Sequence, residues 1–223
     1  MSQMPRSENF TVGPVRLSYT DTLFEARSIN GSEPKFGCTI LMEETVRQQI
    51  DQQVEAIGRA AFPQEWDTPQ RCKKPIRLLA EKPNYVQQAG SMPGVVCFAS
   101  LSAGKYQPQV VDGDRQPIPL NVTDPTTGLK PIYGGCQAYV SISVFSYRHP
   151  QGGLGVSLGV SAVLKYADGT PLIEGGQVDV QSAFVNVPAA PPAAAMVPTQ
   201  GMTSAAQPTP ATFIPPVTPA PHY

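Results

Sequence analysis

The segment spanning residues 136–166 constrains the fold more than any other part of this chain, because its apolar and polar residues alternate with a period of two. Successive side chains of a β-strand point to opposite faces. Val140, Ile142 and Val144 therefore form one face, and Tyr139, Ser141, Ser143, Phe145 and Tyr147 form the other. The first set reads as core. The second mixes rings with hydroxyls, which suits a surface that stays soluble while offering flat rings to a planar partner, and single-stranded nucleic acid is such a partner. The loop RHPQGG separates the strand at 136–147 from a second one at 155–166, which predicts a hairpin, and the Asp168-Gly169 dipeptide turns the chain again.

Upstream, residues 12–19 and 36–42 read as strands joined across SINGSEP, whose Asn30-Gly31 pair is a turn signal. In the second strand Phe36, Cys38, Ile40 and Met42 share one face. Val46, Ile50, Val54, Ile57 and Ala61 then recur every three or four residues, which predicts a helix over 43–62 with one apolar stripe. Glu43 and Glu44 suit its positive N-terminal end, and Pro63 stops it. Residues 63–94 are rich in Pro, Gln and basic groups and read as an irregular excursion with a short strand near 76–79. Residues 95–101 are a further strand, 102–109 a loop, and 110–134 a turn-dense connection. The fold class is mainly β with one principal helix. Periodicity alone leaves a five-stranded barrel and a β-sandwich equally open.

Three parts are expected: a disordered leader over 1–10, one domain over 11–186, and a tail over 187–223. The tail contains ten prolines between Pro188 and Pro221 and no charged residue. Such a sequence can neither build a core nor sustain a hydrogen-bond ladder, so disorder is expected there. The N-terminal residues lack the apolar stretch of a signal peptide, and no apolar run approaches the roughly 20 residues that span a bilayer. No membrane association is expected.

The net charge of −1 conceals an uneven distribution. Residues 1–70 carry a net −4 and residues 107–179 a net −2, whereas residues 71–106 carry a net +5 from Arg71, Lys73, Lys74, Arg77, Lys82 and Lys105 against Glu81 alone. A concentrated basic patch on an otherwise acidic chain is the footprint of nucleic-acid backbone binding. The same cations would otherwise serve a solvated loop. Lys105 and Tyr106 pair a charge with a ring on a loop between strands, and Tyr139 and Tyr147 are the stacking candidates. Phe145, Tyr85 and Phe98 read more readily as packed rings, and Trp66 as a cap over the helix end.

Catalysis finds little support. The chain has no GxSxG, no GxxxxGK[ST] and no HExxH, and GGLG at 152–155 precedes a strand rather than the helix a phosphate cradle needs. Asp112 and Asp114 read as a solvated turn rather than a metal site. Cys38, Cys72, Cys97 and Cys136 are widely spaced without a CxxC pair and His149 and His222 are the only histidines, so zinc is not expected and the cysteines read as buried free thiols. No enzyme activity, cofactor or metal is expected.

Five segments in order, GPVRLSYTDTLFEA, PKFGCTILM, VVCFASLSAGKYQPQVVD, IYGGCQAY and GGLGVSLGVSAVLKYADGTPL, resemble a family of small single-stranded-DNA-binding proteins of tailed bacteriophages with an OB-fold. The resemblance covers roughly residues 10–180. One departure follows the helix, where PIRLLAEKP replaces an acidic PLRDGD-like turn. The resemblance, rather than periodicity, selects an OB-fold-like five-stranded barrel. It implies a non-enzymatic phage protein that coats single-stranded DNA without sequence preference during replication or recombination in the host cytoplasm, with some weaker duplex binding. Its DNA-binding residues would be Arg71, Lys73, Lys74, Arg77, Lys82, Lys105, Tyr106, Tyr139 and Tyr147. Self-association and replication or recombination proteins are further candidate partners. The rival reading is a virion or interaction protein built on a β-sandwich.

Overall fold

The structure, a computed structural model, describes residues 4–172 except 29–30, 69, 120–122, 124–129 and 150–152. Alternation in the sequence becomes strand pairing. The elements are β1 (Phe10–Ser18), β2 (Phe36–Glu43), α1 (Glu44–Ala61), β3 (Cys72–Lys73), β4 (Ile76–Leu78), α2 (Pro83–Gln87), β5 (Val95–Gly104), β6 (Gln109–Val111), β7 (Gln137–His149) and β8 (Gly153–Ala167).

β1 pairs antiparallel with both β2 and β7, β2 pairs with β5, and β7 pairs with β8 along nearly its whole length. β8 then lies parallel to β5 through Leu101↔Leu158 and Ser102↔Gly159. That contact closes a five-stranded barrel in the order β1-β2-β5-β8-β7, and closure distinguishes it from the sandwich that periodicity left open. Beyond the closing contact β5 and β8 splay apart. On one side the gap is filled by β3 against β8 and β4 against β5; on the other, β6 pairs with β8.

The core follows the parity read from sequence. Val140, Ile142 and Val144 are fully buried, as are Leu17, Ile40, Cys97 and Leu158. α1 packs against β1, β2, β5, β7 and β8, with Val46, Ile50 and Val54 turned inward. All four cysteines are buried free thiols, and burial pushes the Cys97 thiol up to about 11. A smaller apolar cluster of Leu41, Leu79, Tyr85, Met92, Phe98 and Leu172 lies on the outside of β2 and β5. Residues 79–92 thus cover part of the sheet's outer face.

Several expectations need correction. Residues 4–10 of the leader are not disordered: Phe10 opens β1, and the Ser7 amide donates to the Val144 carbonyl at 2.8 Å. In the excursion β3, α2 and two single 3-10 turns (Leu79–Glu81 and Ala89–Ser91) were missed, and β6 was missed after β5. Strands of two or three residues are too short to show a period, and their geometry comes from the strand they join. β5 also extends to Gly104, into the expected loop. The Asn30 position of the first turn, the tip of the RHPQGG loop and the tail over 187–223 lie outside the described residues. Among the described residues no helix is long and apolar enough to cross a membrane.

Ile142 is completely buried on β7, opposite Val160. Ile142→Ala should cost about 2 to 5 kcal/mol of stability, measured by denaturant unfolding, whereas Ser161→Ala on the exposed side of β8 should change little.

Candidate nucleic-acid interface

Register decides which of the candidate residues meet. Tyr147 stands opposite Gly155 on β8, and Gly155 stands beside Lys73 on β3. Tyr147, Gly155 and Lys73 therefore form one row on the outer face. A Cβ at Gly155 would lie 2.6 Å from the Tyr147 hydroxyl and 2.8 Å from the Lys73 carbonyl. Only glycine lets the tyrosine ring lie across β8. Burial pushes the Tyr147 phenol pKa up, Cys72 adds to this, and nearby Arg77 opposes it. Arg77 itself faces outward on β4, opposite Phe98.

The same device recurs along β7. A Cβ at Gly159 would meet the Ser143 hydroxyl at 2.9 Å and the Phe145 ring at 3.7 Å. At Gly13, whose φ of +141° itself calls for glycine, a Cβ would meet the Tyr139 ring at 2.9 Å. Rings on β7 thus lie over glycines of the neighbouring strands. Between them the floor is made of small residues, with Ser143, Gly159, Ser102 and Gly37 in one row across β7, β8, β5 and β2.

The six cations at 71–105 divide by environment. Arg71, Lys73 and Arg77 are exposed and make no ion pair among the described residues. Lys74 is committed to the protein: its Nζ donates to Glu55 Oε1 at 2.8 Å and lies 4.7 Å from the Trp66 ring centroid. Trp66, fully buried at the helix end as expected, donates its indole N–H to the other Glu55 oxygen at 2.7 Å. Lys82 sits in a cage, with its Nζ 4.4, 4.7 and 5.7 Å from the ring centroids of Tyr19, Tyr85 and Phe98. Burial alone would lower the Lys82 pKa, but the hydroxyls of Tyr19 and Tyr85 outweigh it and hold the value above that of an ordinary lysine.

The remaining candidates lie apart. Lys105 and Tyr106 form an exposed pair, with Nζ 5.2 Å from the ring centroid. Lys105 is seven residues along the chain from Phe98, or roughly 23 Å at strand rise. Tyr139 is eight residues from Tyr147, roughly 26 Å, and packs edge-to-face on Tyr166 at 5.3 Å. The fold therefore brings Arg71, Lys73, Arg77 and Tyr147 to one seam, and sets Lys82 nearby in its cage.

Sequence reading missed Tyr19 altogether. It missed the cage because Tyr19 adopts a left-handed backbone (φ 55°) and meets Lys82 only through tertiary packing. It also missed the glycines beneath the rings, although the spacing of Gly155 and Gly159, four apart on a strand, was a usable signal of close approach. Asp112 is a turn, its carboxylate accepting the amides of Asp114 and Gln116 at 2.9 and 2.8 Å.

A family profile described as Enterobacter phage Enc34, ssDNA-binding protein, matches residues 8–191. Among solved structures, the chain is similar to the single-stranded DNA-binding protein from bacteriophage Enc34 in complex with ssDNA, at 21% identity over 73% of this chain and 88% of that one, with a TM-score of 0.53. It is similar to that phage protein alone, at 21% identity over 79% and 89% with a TM-score of 0.53. The C-terminal truncation of the same protein aligns at 19% identity over 74% and 88%, with a TM-score of 0.52. At such identities the structural likeness is one of fold. No curated protein sequence matches the chain.

The Lys74–Glu55–Trp66 link predicts an acid-sensitive contact. The Lys74 ammonium, and secondarily the Trp66 N–H, hold the Glu55 carboxyl below the usual carboxylate range against the opposing effect of burial. A depressed carboxyl pKa stabilises the fold above the unfolded value of about 4.3 and loses that contribution as pH falls through the folded value. Lys74→Gln should therefore lower the melting temperature at pH 7, and the gap from the parent protein should narrow as the pH drops below about 4. A gap of constant size across that range would show that Glu55 is not the partner that matters.

Proposed function

We propose a function from one premise: the chain belongs to the family of the Enterobacter phage Enc34 ssDNA-binding protein. It is a phage-encoded, non-enzymatic protein that binds single-stranded DNA. It coats the strand with little sequence preference during replication or recombination in the host cytoplasm, and binds duplex more weakly.

The observation that carries this reading is the row of Tyr147, Gly155 and Lys73, with Arg71 and Arg77 close by. It sets a flat ring beside exposed cations that no acidic side chain of the described residues neutralises. Those cations can replace counterions on the phosphate backbone, the sequence-independent part of binding. The ring offers a stacking face that accepts any base. Lys74 and Lys82 support the surface rather than contacting phosphate, because each is held by partners within the protein.

The test is a titration of fluorescent oligothymidylate across a salt series. Replacing Arg71, Lys73 and Arg77 together by Gln should reduce the log-log salt slope by about 2, at about 0.7 per phosphate contact, while Lys74→Gln leaves the slope unchanged. An intact triple variant with the parental slope would remove this seam from the DNA path. Tyr147→Leu keeps apolar bulk without the π-face and should weaken binding by ~1 kcal/mol or more at an unchanged slope.

A further inference from the structure

Residues 5–7 continue the β1 side of the ladder on β7. The Ser7 amide donates to the Val144 carbonyl at 2.8 Å, and the Val144 amide donates back to Ser7 Oγ at 2.9 Å. The Ser146 amide and hydroxyl both donate to the Pro5 carbonyl, at 3.0 and 2.9 Å. Arg6 is thereby fixed directly opposite Phe145, on the outer face that also carries Tyr147. Its guanidinium carbon lies 5.9 Å from the Phe145 ring centroid, and Nη2 donates to Ser143 Oγ at 2.9 Å.

Arg6 is exposed and makes no ion pair among the described residues. A guanidinium already oriented by a ring and a hydroxyl loses less conformational freedom when it takes up an anion than a free side chain does. Across the sheet from Arg6 come Phe145 and Tyr147 on β7, Gly155 on β8 and Lys73 on β3. Lys73 lies three strand spacings across and two residues along from Arg6, about 16 Å. Two rings thus lie between two cations.

We propose that Arg6 is a phosphate-binding residue, and that single-stranded DNA crosses β7 and β8 rather than running along them. Arg6 holds the backbone on one side and Lys73 on the other, and bases stack on Phe145 and Tyr147 between them. This rests on the functional reading above and adds the N-terminal segment to the interface.

The experiment compares the full chain with Arg6→Gln and Arg6→Lys, titrating fluorescent oligothymidylate over a salt series and recording melting temperatures. Arg6→Gln should bind several-fold more weakly at fixed salt and lose about 0.7 from the slope, with unchanged melting. Arg6→Lys should keep the slope. A parent protein that fails to bind would sink the functional reading and this inference with it. A parent that binds alongside an Arg6→Gln variant with equal affinity and slope would overturn only the role of Arg6. Should Arg6→Gln melt early, phenylglyoxal labelling of the parent chain decides. Bound oligonucleotide must slow modification of Arg6, and equal rates with and without it would overturn the proposal.

Discussion

The pairing of β8 on both of its sides is the constraint on which the rest of the molecule depends. One side is occupied by β7 along nearly the whole strand, and the other is shared by β3, β5 and β6. Only two residue pairs join β8 to β5, yet they convert a sheet into a barrel. The inward residues Val156, Leu158 and Val160 complete the core begun by Val140, Ile142 and Val144. The outward residues Gly155, Ser157 and Gly159 contribute almost no bulk, so rings from β7 can lie across them. Core and platform are two faces of one alternation.

The basic island serves two purposes that composition cannot separate. Lys74 and Lys82 are internal fasteners, one tying residues 66–74 to α1 through Glu55 and the other packed among Tyr19, Tyr85 and Phe98. A lysine among aromatic faces gains about 0.5 to 2 kcal/mol from each well-placed ring and orders the excursion that covers Leu41 and Phe98. Arg71, Lys73 and Arg77 have no such partners among the described residues. Arg77 lies between the two fasteners along the chain and Arg71 and Lys73 lie just before the first, so the anchored lysines fix the backbone that presents these three cations.

The major strands, the helix and the inward parity of β7 were legible in the sequence because each is long enough for its hydrophobic period to be counted. Periodicity did not reach the closing contact of β5 with β8, since a parallel pairing of distant segments leaves no local signal; the family resemblance supplied the barrel. β3, β4, β6 and α2 owe their form to the strands they pack on. Lys73 and Tyr147 were each singled out as binding residues, but that they share a row depends on register. Arg6 was hidden for a different reason. A short polar N-terminal stretch reads as disordered, and only the hydrogen bonds of Pro5 and Ser7 to β7 show that it belongs to the sheet.

The splayed gap between β5 and β8 has one more consequence. A protein that accumulates side by side on a polymer brings copies of itself to high local concentration, where an unpaired strand edge would recruit its neighbour's backbone. The flanking strands here are only two or three residues long, Pro75 interrupts the step from β3 to β4, and Pro117 bridges to Val111 beside β6. Such fragments offer a neighbour no ladder to extend. Backbone pairing between copies is thereby disfavoured at this gap, however crowded the molecules become.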